Sequence, residues 1–182
     1  IEEFWRREHF RGGYDLLYSP HIGRANLWET SGHLDFYRES MYASMDIDGQ
    51  EYFIKAMNCP FHIQMYQAQM RSYRDLPLRW AELGTVYRYE KQGVLHGLLR
   101  VRGFTQDDAH IFCTADQIPE EVSAVADMFL ETYALFGMPV RIVLSTRPEK
   151  RAGDDALWDR AEEALKAALD RRGDDYSIDE GE

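Results

Sequence analysis

The stretch from Arg100 to His110 alternates in a way that an ordinary core strand does not. Its residues of even number are polar or aromatic throughout, in the order Arg100, Arg102, Phe104, Gln106, Asp108 and His110. In a β-strand, residues of one parity project to the same face, so a strand here would present all six side chains together. Guanidinium groups hold anions, and a carboxylate or an imidazole can bind a metal. The row therefore predicts a strand that carries a ligand site. The alternative is a solvated face of an edge strand.

A second long strand pattern precedes this row and indicates how it pairs. Residues 78–89 and 98–112 are both predicted strands, and the loop 90–97 between them contains Gly93 and Gly97. Consecutive strands joined by so short a connection pair antiparallel, because a parallel return needs a long crossover. The two strands are thus expected to lie side by side.

Arg88 and Glu90 have the same parity and lie at the mouth of this loop. Alone, they are typical of a surface ion pair worth well under ~1 kcal/mol. Beside the facing row they would form a pocket with two guanidiniums for phosphates, from Arg88 and Arg100. Glu90 would accept an amino group and Phe104 would stack on a ring. This combination is suited to ATP.

The rest of the chain mixes helical and strand periodicity, without an internal repeat or a linker. Helices are predicted at 1–11, 25–29, 58–71, 116–136 and 154–172, and strands at 14–18, 42–45, 51–55, 140–144 and 176–178. Asp48 and Gly49 between two of these strands predict a β-hairpin. We therefore expect an α+β fold, in which helices flank an antiparallel sheet.

Composition and charge limit the partners. Hydrophobic residues make up 45% of the 182 residues and aromatic residues 13%, which predicts a packed core. The net charge of −11 disfavours an extended nucleic-acid surface, so we expect RNA contacts to be local. No apolar run approaches the roughly 20 residues of a membrane span, and no signal peptide is evident. We expect a cytoplasmic protein without a membrane partner.

Cys59 and His110 are candidate metal ligands. The chain has only 2 cysteines, too few for a disulfide framework. The usual fate of a single Cys and a single His is a buried thiol and a hydrogen-bonded imidazole. Location favours a metal site here, because His110 ends the polar row and Cys59 begins a predicted helix whose N-terminus favours the thiolate.

Several tracts resemble the class II aminoacyl-tRNA synthetases. Residues 87–110 are similar to motif 2 of that class, and residues 14–20 and 27–33 fit its motif 1 region, where family members dimerise. Residues 57–60 (MNCP) and 144–151 (LSTRPEKR) resemble the threonyl-tRNA synthetase family in particular. The resemblance implies a homodimer and a class II catalytic core domain over residues 1–182.

The resemblance also implies roles for individual residues. They comprise Arg88 for the α-phosphate of ATP and for catalysis, Glu90 for the adenine amino group, Arg100 for the γ-phosphate, Phe104 for the adenine face, Met57, Gln106 and Asp108 for threonine, and Cys59 and His110 for zinc. One Zn²⁺ per subunit and Mg²⁺ with ATP are implied as cofactors. The implied activity is that of a threonine–tRNA ligase acting on ATP, L-threonine and tRNA(Thr).

Two features of the resemblance lie outside the sequence. The third zinc ligand, a histidine, and the arginine of motif 3 both follow the point where the chain stops, so we expect a partial chain whose complete form carries the activity. We do not expect His33, His62 or His96 to replace the missing ligand. A synthetase-like binding or regulatory module without ligase activity is the first alternative. The second is a structural reading, in which the pocket residues are core and ion pairs.

Overall fold

The structure is a computed structural model that describes residues 1–181. The chain divides into two compact units, an N-terminal unit from Ile1 to Ile111 and a C-terminal unit from Phe112 onward. Helices and strands alternate irregularly in both, which confirms the α+β prediction. The N-terminal unit contains α1 (Glu2–Arg11), β1 (Asp15–Leu16), β2 (Ile22–Arg24), α2 (Ala25–Thr30), α3 (His33–Phe36), β3 (Met45–Ile47), β4 (Gln50–Ile54), α4 (Cys59–Gln67), β5 (Leu78–Tyr87) and β6 (Gly103–Phe112).

One sheet of the N-terminal unit has the strand order β1-β5-β6. Two contacts fix the direction of β6 relative to β5. The hydroxyls of Thr85 and Thr105 lie 3.0 Å apart, and the amide of Arg88 donates to the carbonyl of Arg102 at 2.9 Å. Partner numbers fall along β6 as they rise along β5, so the predicted antiparallel pairing is confirmed. The short strand β1 adds a parallel edge, which was not predicted.

β6 begins at Gly103, later than the sequence pattern predicts. His96 and Arg100 form a separate antiparallel bridge, and Gly97 turns the chain between them with a φ of 50°. The backbone is therefore committed to a local turn where the predicted strand would begin. Arg100 and Arg102 lie outside the strand, and the prediction that the strand face includes them is wrong.

The second sheet has the order β2-β4-β3, and its β3–β4 pair is the predicted hairpin. Asp48 and Gly49 both have positive φ, 55° and 78°, as a two-residue turn matched to strand twist requires. The hydrophobic core of this unit lies against this sheet and comprises Ala25, Trp28, Met41, Phe53, Ala56 and Phe61.

The C-terminal unit contains two long helices and a small parallel sheet. Its elements are α5 (Ile118–Leu135), β7 (Ile142–Ser145), α6 (Asp155–Arg172) and β8 (Tyr176–Asp179). Asp154 caps α6 as its side chain accepts from the Leu157 amide at 2.7 Å. Before α5, Thr114 and Gln117 form a capping box around a short 3₁₀ turn, so α5 begins at Ile118, two residues after the predicted start at Asp116. In residues 1–181, no helix has the length and apolar character needed to cross a membrane.

Candidate functional site

The even-numbered residues of β6 occupy one partly buried face. Phe104, Gln106, Asp108 and His110 are partly buried, whereas the residues of opposite parity from Gly103 to Ala109 are exposed. This is the alternation expected of a strand with one covered side. Four of the six members of the predicted polar row are thus on the same face.

Arg88 joins this face from the end of β5. Its guanidinium carbon lies 5.3 Å from the centroid of the Phe104 ring, within the range of a cation–π contact. Its Nε also donates to the carbonyl of Ala56 at 3.3 Å. Because the Ala56 carbonyl fixes Nε and the Phe104 ring fixes the guanidinium plane, the two terminal nitrogens of Arg88 keep a defined direction.

Glu90 and Arg100 meet at the base of the loop between β5 and β6. Arg100 donates to Glu90 Oε2 through Nε at 3.2 Å and Nη2 at 3.1 Å. The Arg100 side chain is 58% exposed and that of Glu90 is 17% exposed. Arg102 also stabilises this loop, since its Nε donates to the Glu90 carbonyl at 3.0 Å and its guanidinium lies over the Tyr89 ring.

Asp108 is held by Asn58, which immediately precedes α4. The Asn58 side chain is fully buried and donates through Nδ2 to Asp108 Oδ2 at 2.9 Å. Asn58 is the N-cap residue of α4, but its side chain makes no capping hydrogen bond to that helix. Gly84 makes room for it, because a Cβ at that position would lie 2.3 Å from Asn58 Nδ2.

Cys59 and His110 share Asp108 as an electrostatic neighbour. Burial, reinforced by Asp108, raises the pKa of the Cys59 thiol. The predicted preference for the thiolate is therefore wrong, because burial outweighs the backbone at the helix start. Burial lowers the pKa of His110, and Asp108 opposes that shift. A thiol and an imidazole are donors that zinc prefers, so the pair fits this metal chemically. The part of the chain that the structure describes has no group of three or more His, Cys, Asp or Glu side chains able to hold a metal.

Met57 lies between β4 and α4 and contacts His33. The two are joined by a 3.1 Å contact from His33 Nε2 to Met57 Sδ, and His33 Nδ1 lies 2.8 Å from Ser31 Oγ. Burial lowers the pKa of His33. The His33 imidazole is thus held in place by two contacts and lies directly beside the Met57 thioether.

A fully buried polar network lies behind His110. His110 Nδ1 is 2.9 Å from His62 Nδ1, and His62 Nε2 is 3.0 Å from Glu82 Oε2. Glu82 also accepts from the amide and hydroxyl of Ser19, and from the Lys55 ammonium at 3.3 Å. Burial alone would raise the pKa of Glu82, but hydrogen bonds from His62 and Ser19 and the charge of Lys55 lower it to about 2.

This network is not among the sequence predictions, although the sequence contains a signal for it. Lys55 directly follows β4 and Glu82 lies within β5, and their side chains are 1% and 2% exposed. Lys and Glu are almost never buried unless paired, so two opposite charges within otherwise apolar strands indicate a partner in the fold.

Comparison with known proteins identifies the class. The family model for the class II tRNA synthetase core domain (G, H, P, S and T) matches residues 42–170, and the chain belongs to this family. Threonine–tRNA ligases of Nitrosococcus oceani and Parasynechococcus marenigrum are each 59% identical to it over 182 residues, 100% of this chain. Those residues are 28% and 30% of the two relatives, so the chain spans less than a third of their length.

A solved structure extends this likeness to three dimensions. The RNA binding domain of threonyl-tRNA synthetase from Cryptosporidium parvum superposes with a TM-score of 0.91 at 41% sequence identity. The match covers 100% of this chain and 45% of that one. The class II synthetase fold predicted from the motifs is therefore confirmed.

Proposed function

We propose that the protein containing this chain is a threonine–tRNA ligase, which activates L-threonine with ATP and transfers it to tRNA(Thr). The observation that carries the proposal is the position of Arg88 against Phe104, at the edge of the face that also presents Asp108 and His110. A fixed cation beside an aromatic ring suits a nucleotide, whose phosphate and base need these two groups. Curated relatives at 59% identity bear the name of the same activity.

In this proposal ATP lies along the face with its two ends held by Glu90 and Arg100. Phe104 stacks on the adenine, Glu90 accepts from the adenine amino group, Arg88 contacts the α-phosphate, and Arg100 contacts the γ-phosphate, while Mg²⁺ accompanies the nucleotide. Binding exchanges the ion pair between Glu90 and Arg100 for contacts to ATP. An exposed pair contributes only ~0–1 kcal/mol, so this exchange costs little.

The chemical step needs no nucleophile from the protein. A carboxylate oxygen of threonine attacks the α-phosphorus of ATP, the new P–O bond forms, and the bond to the bridging oxygen of pyrophosphate breaks. Negative charge spreads over the non-bridging oxygens as this happens. Arg88 stabilises that charge because its guanidinium is already oriented, by the carbonyl of Ala56 and the ring of Phe104.

Threonine is proposed to lie against the neighbouring end of the face. Met57, Gln106 and Asp108 would contact the amino acid, and Cys59 with His110 would hold one Zn²⁺ together with a third protein ligand from outside residues 1–181. When bound, such a metal supplies coordination for the amino and hydroxyl groups of threonine. A site that must engage the hydroxyl rejects valine far better than the ~10²-fold of an apolar pocket.

The proposal includes a homodimer formed through residues 14–20 and 27–33, in a cytoplasmic protein. Sedimentation of the natural full-length protein tests it directly. A dimer is expected, and a monomer at concentrations well above those used in assays would contradict the assignment of this surface.

Calorimetric titration tests whether threonine is the amino-acid substrate. The natural full-length protein, loaded with zinc, is titrated with a non-hydrolysable threonyl-adenylate analogue and with its valyl counterpart. We expect tight binding of the first and much weaker binding of the second. Equal binding, or binding of neither, would refute the proposal. Selective binding without any tRNA charging would instead identify a binding module that lacks ligase activity.

The metal is tested by substitution of its proposed ligand. Cys59→Ser should lower the zinc content measured by elemental analysis and raise misactivation of valine. Cys113→Ser is the matched control, since this second cysteine lies outside the face described above. Unchanged zinc in Cys59→Ser would remove the zinc assignment.

A further inference from the structure

His62 connects the buried carboxylate of Glu82 to His110, a candidate ligand. Both links are of hydrogen-bond length, 3.0 Å from His62 Nε2 to Glu82 Oε2 and 2.9 Å between the two Nδ1 atoms. His62 is 0% exposed and Glu82 is 2% exposed, so water does not compete for the link between them. The hydrogen bond between His62 and Glu82 must therefore take both its donor and its acceptor from the protein itself.

The direction of the first link follows from Glu82. Its carboxylate is surrounded by donors, namely the Ser19 amide, the Ser19 hydroxyl and the Lys55 ammonium. These contacts and its low pKa keep it ionised, and an ionised carboxylate only accepts. His62 must therefore carry its proton on Nε2 and donate it to Glu82.

The direction of the second link follows from the first. Lys55 already pairs with Glu82 in this buried network, so a second positive charge at the fully buried His62 would have no partner of its own. With its only proton on Nε2, the His62 ring accepts through the lone pair of Nδ1. The partner at 2.9 Å, His110 Nδ1, must then donate. An imidazole that binds a metal is neutral, so with its proton on Nδ1 the ring of His110 keeps the lone pair on Nε2.

We propose that His62 and Glu82 are positioning residues, which fix His110 as the Nδ1–H tautomer and thereby present the lone pair of Nε2 to the ligand site. The inference rests on the proposed function in one respect, that the ligand there is zinc. Outer partners of metal-binding histidines commonly fix the tautomer in this way, and their loss typically weakens metal binding by about ten- to hundredfold.

The rigidity of the network supports a positioning role. Ser19 and Lys55 are also fully buried, and Lys55 Nζ donates to Ser19 Oγ at 2.8 Å. Glu82 therefore cannot turn away from His62 without breaking its ion pair with Lys55 and leaving the Ser19 hydroxyl without an acceptor. Such a loss costs more free energy than an ordinary hydrogen bond contributes. The donor and acceptor roles from Glu82 through His62 to His110 are therefore a stable property of the fold.

Two substitutions of His62 separate its two contacts. In His62→Asn the amide oxygen takes roughly the place of Nδ1, so it can still accept from His110 while the contact to Glu82 is lost. In His62→Gln the amide nitrogen takes roughly the place of Nε2, so it can still donate to Glu82 while the acceptor for His110 is lost. The two variants carry the same amide group, and His62→Asn is the smaller by one methylene.

The first test reads the tautomer without any variant of the network. Magic-angle-spinning ¹⁵N NMR of the natural full-length protein, labelled at histidine and free of zinc, reports which ring nitrogen carries the proton. His110→Gln identifies the signals. We expect a protonated Nδ1 and an unprotonated Nε2 on His110. A proton on Nε2 would overturn the inference.

The second test measures zinc affinity by competition with a chromophoric chelator. His62→Gln should weaken zinc binding by about ten- to hundredfold, and His62→Asn by only a few-fold. Equal losses in the two variants, or no loss in His62→Gln, would overturn the positioning role. Wild-type protein that binds no zinc would refute the zinc part of the proposed function, and the tautomer measurement would still decide the inference about His110.

Discussion

Arg100 and Glu90 form an ion pair in which Arg100 Nη2 lies 3.1 Å from Glu90 Oε2. The proposed function assigns these residues to opposite ends of one nucleotide, the γ-phosphate and the adenine amino group. ATP would therefore be recognised by separating two side chains that neutralise each other. Because the Arg100 side chain is 58% exposed, its role in ATP binding can be distinguished from a role in stability.

Arg100→Ala should weaken ATP binding and leave folding almost unchanged. A hydrogen bond to a charged group contributes about 1.5–3 kcal/mol, which corresponds to a rise of roughly tenfold or more in the KM for ATP. Loss of the exposed ion pair should lower the unfolding temperature very little. Arg6→Ala, which removes another exposed pair, with Glu2, is the control and should leave the KM alone. An unchanged KM in Arg100→Ala would contradict the assignment.

Arg88→Lys should slow adenylate formation by about a hundredfold or more. Lysine keeps the charge, but it lacks the planar fork that contacts a phosphate while one nitrogen stays on the carbonyl of Ala56. Threonine-dependent exchange of pyrophosphate into ATP measures the step. Arg24→Lys, at an exposed residue of β2, should behave as wild type. If Arg88→Lys kept full activity, the guanidinium geometry would have no part in catalysis.

Stability should fall at acidic pH because of Glu82. Its pKa is about 2 in the folded protein against an ordinary value of 4.5, so its contribution is complete above pH 4.5. The contribution is lost as the pH falls from 4.5 toward 2, since the unfolded chain then binds the proton more readily. The loss over this window is about 3 kcal/mol.

Urea unfolding at roughly pH 6 and roughly pH 3 measures this dependence. Glu82→Gln should be less stable at the higher pH and should show a flatter pH profile than wild type. Glu3→Gln, at an exposed residue of α1, should retain the wild-type profile. A Glu82→Gln profile parallel to wild type would show that the carboxylate is not ionised by its partners.

Gly84→Ala should disturb Asn58 and, through it, Asp108. The added methyl group would lie 2.3 Å from Asn58 Nδ2, and a fully buried Asn58 has no room to yield. Overpacking of this kind costs about 1–3 kcal/mol. Gly93→Ala is the matched control, because no atom lies within 4 Å of its added Cβ.

Two measurements follow from that displacement. The unfolding temperature of Gly84→Ala should fall, and its KM for threonine should rise, because Asp108 loses its 2.9 Å donor. Gly93→Ala should change neither. A stable Gly84→Ala protein with an unchanged KM would mean that the Asn58 contact does not matter for the site.

The sequence predicted the elements well where local signals dominate. The alternation along β6 correctly placed Phe104, Gln106, Asp108 and His110 on one face, and Asp48 with Gly49 correctly predicted the hairpin turn. These features depend on near neighbours, through the period of a strand and the φ of a turn. The roles of the four β6 residues remain predictions.

Long-range and competing interactions were harder to predict. Polarity and alternation extend back to Arg100, but a turn that closes the bridge from His96 to Arg100 delays the start of β6 to Gly103. Asn58 is the N-cap residue of α4, but its side chain contacts Asp108, fifty residues later in the chain. No local pattern reports either partner, because each depends on which segments the fold brings together.

We propose that this face activates threonine. The most direct test is threonine-dependent ATP–pyrophosphate exchange by the natural full-length protein, with valine as the competing amino acid. We predict exchange with threonine that exceeds exchange with valine by well over the ~10²-fold available to an apolar pocket. Exchange that ignores the amino acid, or no exchange by protein that binds ATP, would contradict the account.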